Sequence, residues 1–230
     1  MRLAVAALAF VAAPASAEIG AAVSLDSESL YRGYSLSDGR PAASLDLSYD
    51  SPSGFYASAS GSLVAARSEG IRKLGLQLTG GYARSVSNSM SLDLGVTRSA
   101  YSEYSGLYGR RSYIEAYAGV TTKLLSSHVF YSPRALVTGK STLYAEANGS
   151  IGGYSGFSAQ AHAGVLLPLA DYQGRSSAPR VDWRLGISRA LARFTLRAAV
   201  SGGGPGRYAY GGNYAYPPAH RFTVGVTCAL

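Results

Sequence analysis

The chain has 230 residues, among them 28 glycines, 18 tyrosines and one cysteine, and 15% are charged. The lone cysteine, Cys228, leaves no intramolecular disulfide framework and no cysteine-rich metal site, and the charge fraction falls short of the roughly one quarter that covers a soluble protein. The net charge of +8 comes from arginines scattered along the chain rather than gathered in a basic arm, so no nucleic-acid partner is expected.

Residues 1–17 form the first element. Arg2 supplies a positive start, 3–13 is a short apolar run, and Ala15-Ser16-Ala17 is a small-residue cleavage site before Glu18. The run is shorter than the ~20 residues a spanning helix needs. The longest later apolar stretch, 163–170, is interrupted by Pro168. The expected organisation is a cleavable signal peptide over 1–17 and a single domain over 18–230.

From there a two-residue beat restarts twelve times, predicting strands in chain order. The first, 19–31, sets Ile19, Ala21, Val23 and Leu25 against Asp26 and Glu28. Segment 42–50 sets Leu45, Leu47 and Tyr49 against Ser44 and Asp46, and 55–66 sets Phe55, Ala57 and Leu63 against Tyr56 and Ser58. Over 72–84, Leu74, Leu76, Leu78 and Tyr82 face away from Lys73, Gln77 and Thr79, and over 89–101, Leu92, Leu94 and Val96 face away from Asp93 and Thr97. Segment 112–122 sets Ile114 and Val120 against Tyr113, Glu115 and Tyr117, whereas 127–137 has the weakest pattern because Pro133 lies inside it. Leu143 and Ala145 oppose Tyr144 and Glu146 in 141–149, and Phe157 and Val165 oppose Gln160 and His162 in 156–167. Val181, Trp183, Leu185 and Ile187 oppose Asp182 and Arg184 in 180–189, and Phe194 and Leu196 oppose Thr195 and Arg197 in 193–201. The closing segment, 220–230, sets Phe222, Val224, Val226, Cys228 and Leu230 against Arg221 and Thr223.

A strand apolar on one side and polar on the other can stand between lipid and an aqueous interior. The connections agree. Those at 51–54, 85–88, 123–126, 151–155 and 190–192 are short, and the long ones at 32–41, 102–111, 168–179 and 202–219 alternate with them. Bacterial barrels pair short periplasmic turns with longer outer loops. Tyr49, Phe55, Tyr82, Phe157 and Phe194 flank the short turns as an interfacial girdle, with Trp183 and Phe222 at the other rim. A soluble β-sandwich with one wet face also alternates, but it predicts neither pattern. The fold class is therefore all-β: a closed antiparallel up-and-down transmembrane β-barrel of about 12 strands. It is expected in the cell outer membrane with both termini periplasmic. Its partners are then outer-membrane lipid and lipopolysaccharide, the barrel-assembly machinery and periplasmic chaperones during biogenesis, and small hydrophilic solutes.

The stretch Tyr31-Arg32-Gly33-Tyr34-Ser35-Leu36-Ser37-Asp38-Gly39-Arg40-Pro41-Ala42, followed by Gly54-Phe55-Tyr56, carries a resemblance. It is similar to a pattern close to Y-x-x-R-G-x-S-x-S-D-G-K-P-A, then G-F-Y-A. That is the pattern of the proteobacterial TorF-type porin family (Gcw_chp), long labelled conserved proteins of unknown function. Segments 112–120, 143–147 and 181–188 are also similar. Arg32 directly follows Tyr31, where the family has residues between, and 202–218 has no counterpart in the pattern. The resemblance implies an outer-membrane barrel of porin type and brings no substrate and no functional residues.

Enzyme chemistry is not expected, and neither is a cofactor or a metal. Gly139-Lys140-Ser141-Thr142 ends like a phosphate-binding loop, but Arg134 stands where the first glycine belongs and a strand follows instead of a helix. His128, His162 and His220 have no serine in a motif spacing, although a triad is a matter of geometry. The expected pore-lining residues are Asp46, Lys73, Asp93, Glu115, Glu146, His162, Asp182, Arg184, Arg197 and Arg221. Acids of the first eight strands facing Arg184, Arg197 and Arg221 make opposed walls across the lumen, or else pair and hold a filled barrel shut. The corresponding functions are passive diffusion of small hydrophilic solutes through a narrow charged lumen with mild anion preference, or a closed structural or surface-binding barrel acting through its outer loops. Segment 202–218, with Tyr208, Tyr210, Tyr214 and Tyr216 among glycines, is expected as the longest outer loop, as a partial plug, a glycan- or lipopolysaccharide-contacting surface, or a plain mobile loop.

Overall fold

The computed structural model describes residues 17–66, 70–102, 112–135, 140–170, 179–204 and 220–230. The signal-peptide reading, Gly139 and the four tyrosines of the last long loop therefore fall outside the described residues, except for Ala17 at the cleavage site.

The chain runs β1 (Glu18–Asp26), β2 (Leu30–Tyr31), β3 (Tyr34–Ser35), β4 (Ala42–Asp50), β5 (Phe55–Ala66), β6 (Gly70–Ser87) and β7 (Met90–Tyr101). It continues through β8 (Ser112–Thr122), β9 (Leu125–Ser132), β10 (Thr142–Gly152), β11 (Phe157–Pro168), β12 (Arg180–Leu191), β13 (Phe194–Gly204) and β14 (His220–Ala229). All but β2 and β3 form one closed barrel in which every strand pairs antiparallel with its chain neighbours, and β1 pairs with β14 to close it. The barrel has twelve strands and is closed, so each strand finds ladder partners on both sides, as a lipid environment requires.

Alternation assigns the two faces. Leu94 is 62% exposed, Leu185 59% and Ile114 52%, all on the outside, while their neighbours Asp93, Glu115 and Arg184 turn inward. The exterior is thus an apolar belt of the kind that faces lipid. Tyr49, Phe55, Tyr82, Phe157 and Phe194 are exposed beside the short connections, and the Phe55 and Tyr82 rings meet edge-on at 5.1 Å. Both chain ends of the barrel lie at this short-turn end. At the other end lie the connection 27–41 and the strand ends Ala66, Gly70, Tyr101, Ser112, Ser132, Thr142, Pro168, Arg180, Gly204 and His220.

The structure departs from simple periodicity in several places, four of which bear on the lumen or its loops. The first strand ends at Asp26, not at 31, because the chain leaves the wall to enter the lumen. The strand β9 ends at Ser132, since Pro133 has no N–H to give the ladder. The strand β13 continues to Gly204, so three glycines first expected in a loop belong to the wall. A β-bulge between β5 and β6 skips Leu74 in the register, so that Leu63 pairs with Lys73 and Ser62 with Gly75. Two successive side chains on one strand then face one on the other, and Leu74 turns inward and is fully buried.

Candidate functional site

The lumen is not empty. The connection between β1 and β4 folds into it as a small hairpin in which Leu30 pairs with Ser35 and Tyr31 with Tyr34. Its two turn residues, Arg32 (φ 46°) and Gly33 (φ 75°), both have positive φ, the requirement of a two-residue turn matching strand twist. Asp38 (φ 54°) and Gly39 (φ 70°) make a second such turn nearer the rim, closed by the Arg40 N–H donating to Ser37 O at 3.2 Å. The hairpin base is tied at Ser27, whose N–H donates to Val224 O at 2.8 Å, and at Ser29, whose N–H donates to Ser37 Oγ at 2.9 Å. Leu36 packs with Ala42, Val64, Leu74 and Tyr113 in a buried apolar cluster on the inner wall.

The tip is held by charge. Arg32 donates two parallel hydrogen bonds to Glu115, Nη1 to Oε1 and Nη2 to Oε2, each 2.9 Å. The two side chains are only 8% and 3% exposed, so the pair is desolvated and its bidentate geometry matters. The guanidinium also lies 3.8 Å from the centre of the Tyr144 ring, a cation–π contact. Tyr31 is hydrogen-bonded to the Tyr113 hydroxyl. Burial pushes the Tyr31 hydroxyl well above the ordinary tyrosine range although Arg32 pulls the other way, so it stays a donor. From the far wall, the buried Arg180 places its guanidinium 3.9 Å from the Tyr34 ring centre. At the very tip a Cβ on Gly33 would meet Asp182 Cβ at 2.9 Å. Only glycine fits there, in conformation and in space.

Below the hairpin the lumen wall is a polar network. His162 sits between two acceptors, with Nε2 2.8 Å from Asp182 Oδ1 and Nδ1 2.7 Å from Asn148 Oδ1. Asn148 in turn donates to Glu146 at 3.1 Å, and the Tyr144 hydroxyl reaches both Asp182 oxygens at 3.2 Å. A second knot joins Tyr56, Tyr117, Asp93 and His128: the Tyr56 hydroxyl donates to Asp93 at 3.1 Å and bonds the Tyr117 hydroxyl, and His128 Nε2 is 3.3 Å from Asp93. These tyrosines lie flat across lumen-facing glycines. A Cβ at Gly95 would stand 2.5 Å from Tyr117 Cζ, and one at Gly164 2.7 Å from Tyr144 Cζ.

Of the residues expected to line the pore, Asp46, Asp93, Glu115, Glu146, His162, Asp182, Arg184, Arg197 and Arg221 face inward. Asp46 accepts from Ser44 Oγ at 3.0 Å. Lys73 does not face inward: the bulge at Leu74 puts it on the outward face with Leu63. Arg197 and Arg221 form no wall opposed to the acids. Closure brings β14 beside β1, so Arg197 bonds Asp26 at 3.0 Å and Arg221 pairs with Glu28. Arg184 differs: it is exposed to the lumen on β12 with no ion pair among the described residues, within electrostatic reach of Arg197 and Asp26. It borders a cavity of about 520 Å³ whose lining also includes Asn148, Gln160, His162 and Ser201, with the hairpin tip at one end and the 121–126 turn at the other.

Sequence reasoning placed Arg32, Tyr34 and Leu36 in an outer loop. The available signals were two glycine-containing pairs suited to tight turns, Arg32-Gly33 and Asp38-Gly39, and an apolar Leu36 in a polar connection. Among the described residues, the hydrogen bonds of His128 and His162 go to Asp, Asn and Tyr rather than to a serine or threonine, and the His220 ring lies tilted against Trp183, 5.6 Å between centres. No group of three His, Cys, Asp or Glu among them is placed to hold a metal.

Known structures share this barrel. The chain is similar to NanC porin, with 11% identity over 91% of this chain and 100% of that one and a TM-score of 0.59. It is similar to KdgM porin at 11% identity, 92% and 99% coverage and a TM-score of 0.57. It is also similar to KdgM porin in complex with disordered oligogalacturonate, at 13% identity, 93% and 99% coverage and a TM-score of 0.54. Identities this low establish the porin fold alone. No curated protein sequence matches the chain. Residues 11–223 match the family described as "Bacterial protein of unknown function (Gcw_chp)", so this twelve-stranded porin-type barrel belongs to the bacterial Gcw_chp family.

Proposed function

We propose that the protein is an outer-membrane porin-like barrel that passes small hydrophilic solutes passively, with mild anion preference. On this reading the N-terminal signal directs export, the short-turn end with both termini is periplasmic, and the long loops face lipopolysaccharide. The observation that carries it is the cavity inside the apolar cylinder, into which Arg184, Asn148, Gln160 and His162 bring polar groups. A polar lumen within a lipid-facing wall serves water and hydrophilic solutes. The preference is assigned to the cavity, where Arg184 stands without an ion pair among the described residues; Asp46 and Glu146, which face the lumen with only neutral partners, keep it mild. Arg32, Arg197 and Arg221 are each matched by a carboxylate, as are the acids they meet, so their fields largely cancel at pore distances, whereas Arg184 keeps its charge. Catalysis has no comparable support, since His128 and His162 are tied to carboxylates in the two side-chain knots.

Planar-bilayer recordings of the purified, folded protein under a KCl gradient test this. The expected result is a small conductance with a reversal potential on the chloride side, moved toward potassium by Arg184→Gln. The same selectivity in Arg184→Gln means that this side chain does not line the path. No conductance from folded protein favours the closed barrel acting through its outer loops, for which the lumen-crossing hairpin is the specific support.

A further inference from the structure

We infer that residues 27–41 are the selectivity element of the lumen: a stopper built from the first long connection, held across the pore by the Arg32–Glu115 pair, that sets the largest solute able to pass. The inference rests on the porin reading and adds what limits passage.

The span of the hairpin carries it. Around the ring, the seam between β9 and β10 lies diametrically opposite the seam between β1 and β4. The hairpin leaves the wall at β1 and returns at β4. Its tip contacts Glu115 on β8, Tyr144 on β10 and Asp182 on β12, with the Arg32 guanidinium also 5.3 Å from the Phe130 ring centre on β9. The segment therefore reaches from one wall to the other. It is not an external loop that has drooped inward. Leu36 and Ser37 are buried at its base, Arg32 is buried at its tip, and the wall has made room for it where Gly33 approaches Gly202 O.

The chemistry of the latch decides what kind of element this is. The bidentate pair neutralises both charges, so the hairpin limits passage by size and leaves charge preference to the side chains of the wall. A neutral, desolvated pair is also conditional: with either partner removed, the other is left buried and uncompensated, and the tip is released. Leu30, Arg32 and Gly33 form the cavity's hairpin end, so a solute arriving from the short-turn side meets this tip.

The test compares the full-length protein with a form in which residues 29–39 are replaced by Asn-Gly. Asp26 and Ala42 are already paired, so the shortened connection closes without stretching, and Glu28 remains to pair with Arg221. Heat-modifiable gel mobility establishes that each form is folded. The expected result is a several-fold larger single-channel conductance in the excised form and admission of larger sugars in proteoliposome swelling. Glu115→Gln, which keeps the whole chain and nearly the same shape, shifts both readouts in the same direction by less, and it stands in if the excised form does not fold. Unchanged conductance and unchanged size limit in a folded excised form, or in Glu115→Gln when that form stands in, overturn the inference while leaving the porin reading intact. Silence of both folded forms overturns the porin reading itself, and the inference with it.

Discussion

Replacing Leu94 with arginine puts the two-faced wall to a quantitative test. Leu94 points outward, 62% exposed, and is the fifth residue of β7 counted from Met90 at the short-turn rim. At about 3.3 Å per residue and a strand tilt of about 40°, four steps raise it roughly 10 Å above that rim. An apolar band about 25 Å tall has its middle close to that height. An arginine near the midplane costs about 2–4 kcal/mol, and each ~1.4 kcal/mol is a factor of ten. Leu94→Arg should therefore lower the folded-to-unfolded ratio roughly 30- to 700-fold. Ser58 is the control. It lies at similar height on β5 but on the lumen side, where it is exposed to the interior. Ser58→Arg should stay within about 0.5 kcal/mol, the usual range for a substitution at a wet surface. Urea unfolding in lipid vesicles measures both, read by the fluorescence of Trp183, the only tryptophan, which sits on the outward face. Equal effects at the two positions, or a neutral Leu94→Arg, refute the assignment of faces.

Three further outcomes follow from the geometry. Gly95→Ala puts a methyl group into the Tyr117 ring and should destabilise the barrel by about 1–3 kcal/mol, whereas Gly61→Ala meets nothing within 4 Å and should be near neutral in the same unfolding assay. Arg32 is 8% exposed in its side chain, so trypsin should cut slowly after it in native protein. Glu115→Gln should speed that cut several-fold by mass spectrometry, and an unchanged rate means the pair does not hold the tip. Asp182→Asn weakens the bond to His162 without changing shape and should loosen the Tyr144 knot, visible as faster amide exchange at Tyr144. Unchanged exchange there leaves Asp182 without a structural role in that knot.

Much of the wall was legible because a strand's side-chain period is exactly two and lipid enforces it on every strand. Leu92, Leu94 and Val96 announce an outward face with no knowledge of their neighbours. The period fails where the backbone breaks it. The bulge at Leu74 inverts the phase of Lys73, and nothing in Arg72-Lys73-Leu74 signals an extra residue. Pairing was harder still. Arg197 and Asp26 are 171 residues apart, and Arg32 and Glu115 are 83 apart. Both meetings depend on ring closure or on a loop turning inward, which no local pattern encodes. From sequence the first connection reads only as a long outer loop; the Arg32-Gly33 and Asp38-Gly39 pairs are turn sequences, but they do not say on which side of the rim the segment folds. The block that carried the family resemblance proved to be this hairpin, so the segment most recognisable as sequence is the one that crosses the lumen.

Swelling of proteoliposomes bearing the folded, full-length protein tests the central claim most directly, because it reads solute passage rather than ion leakage. The account predicts swelling in an isosmotic pentose such as arabinose and none in a tetrasaccharide such as stachyose, the hairpin setting the boundary between them. Absence of swelling in arabinose, with the protein shown to be folded by its heat-modifiable mobility, contradicts the account and leaves a closed barrel.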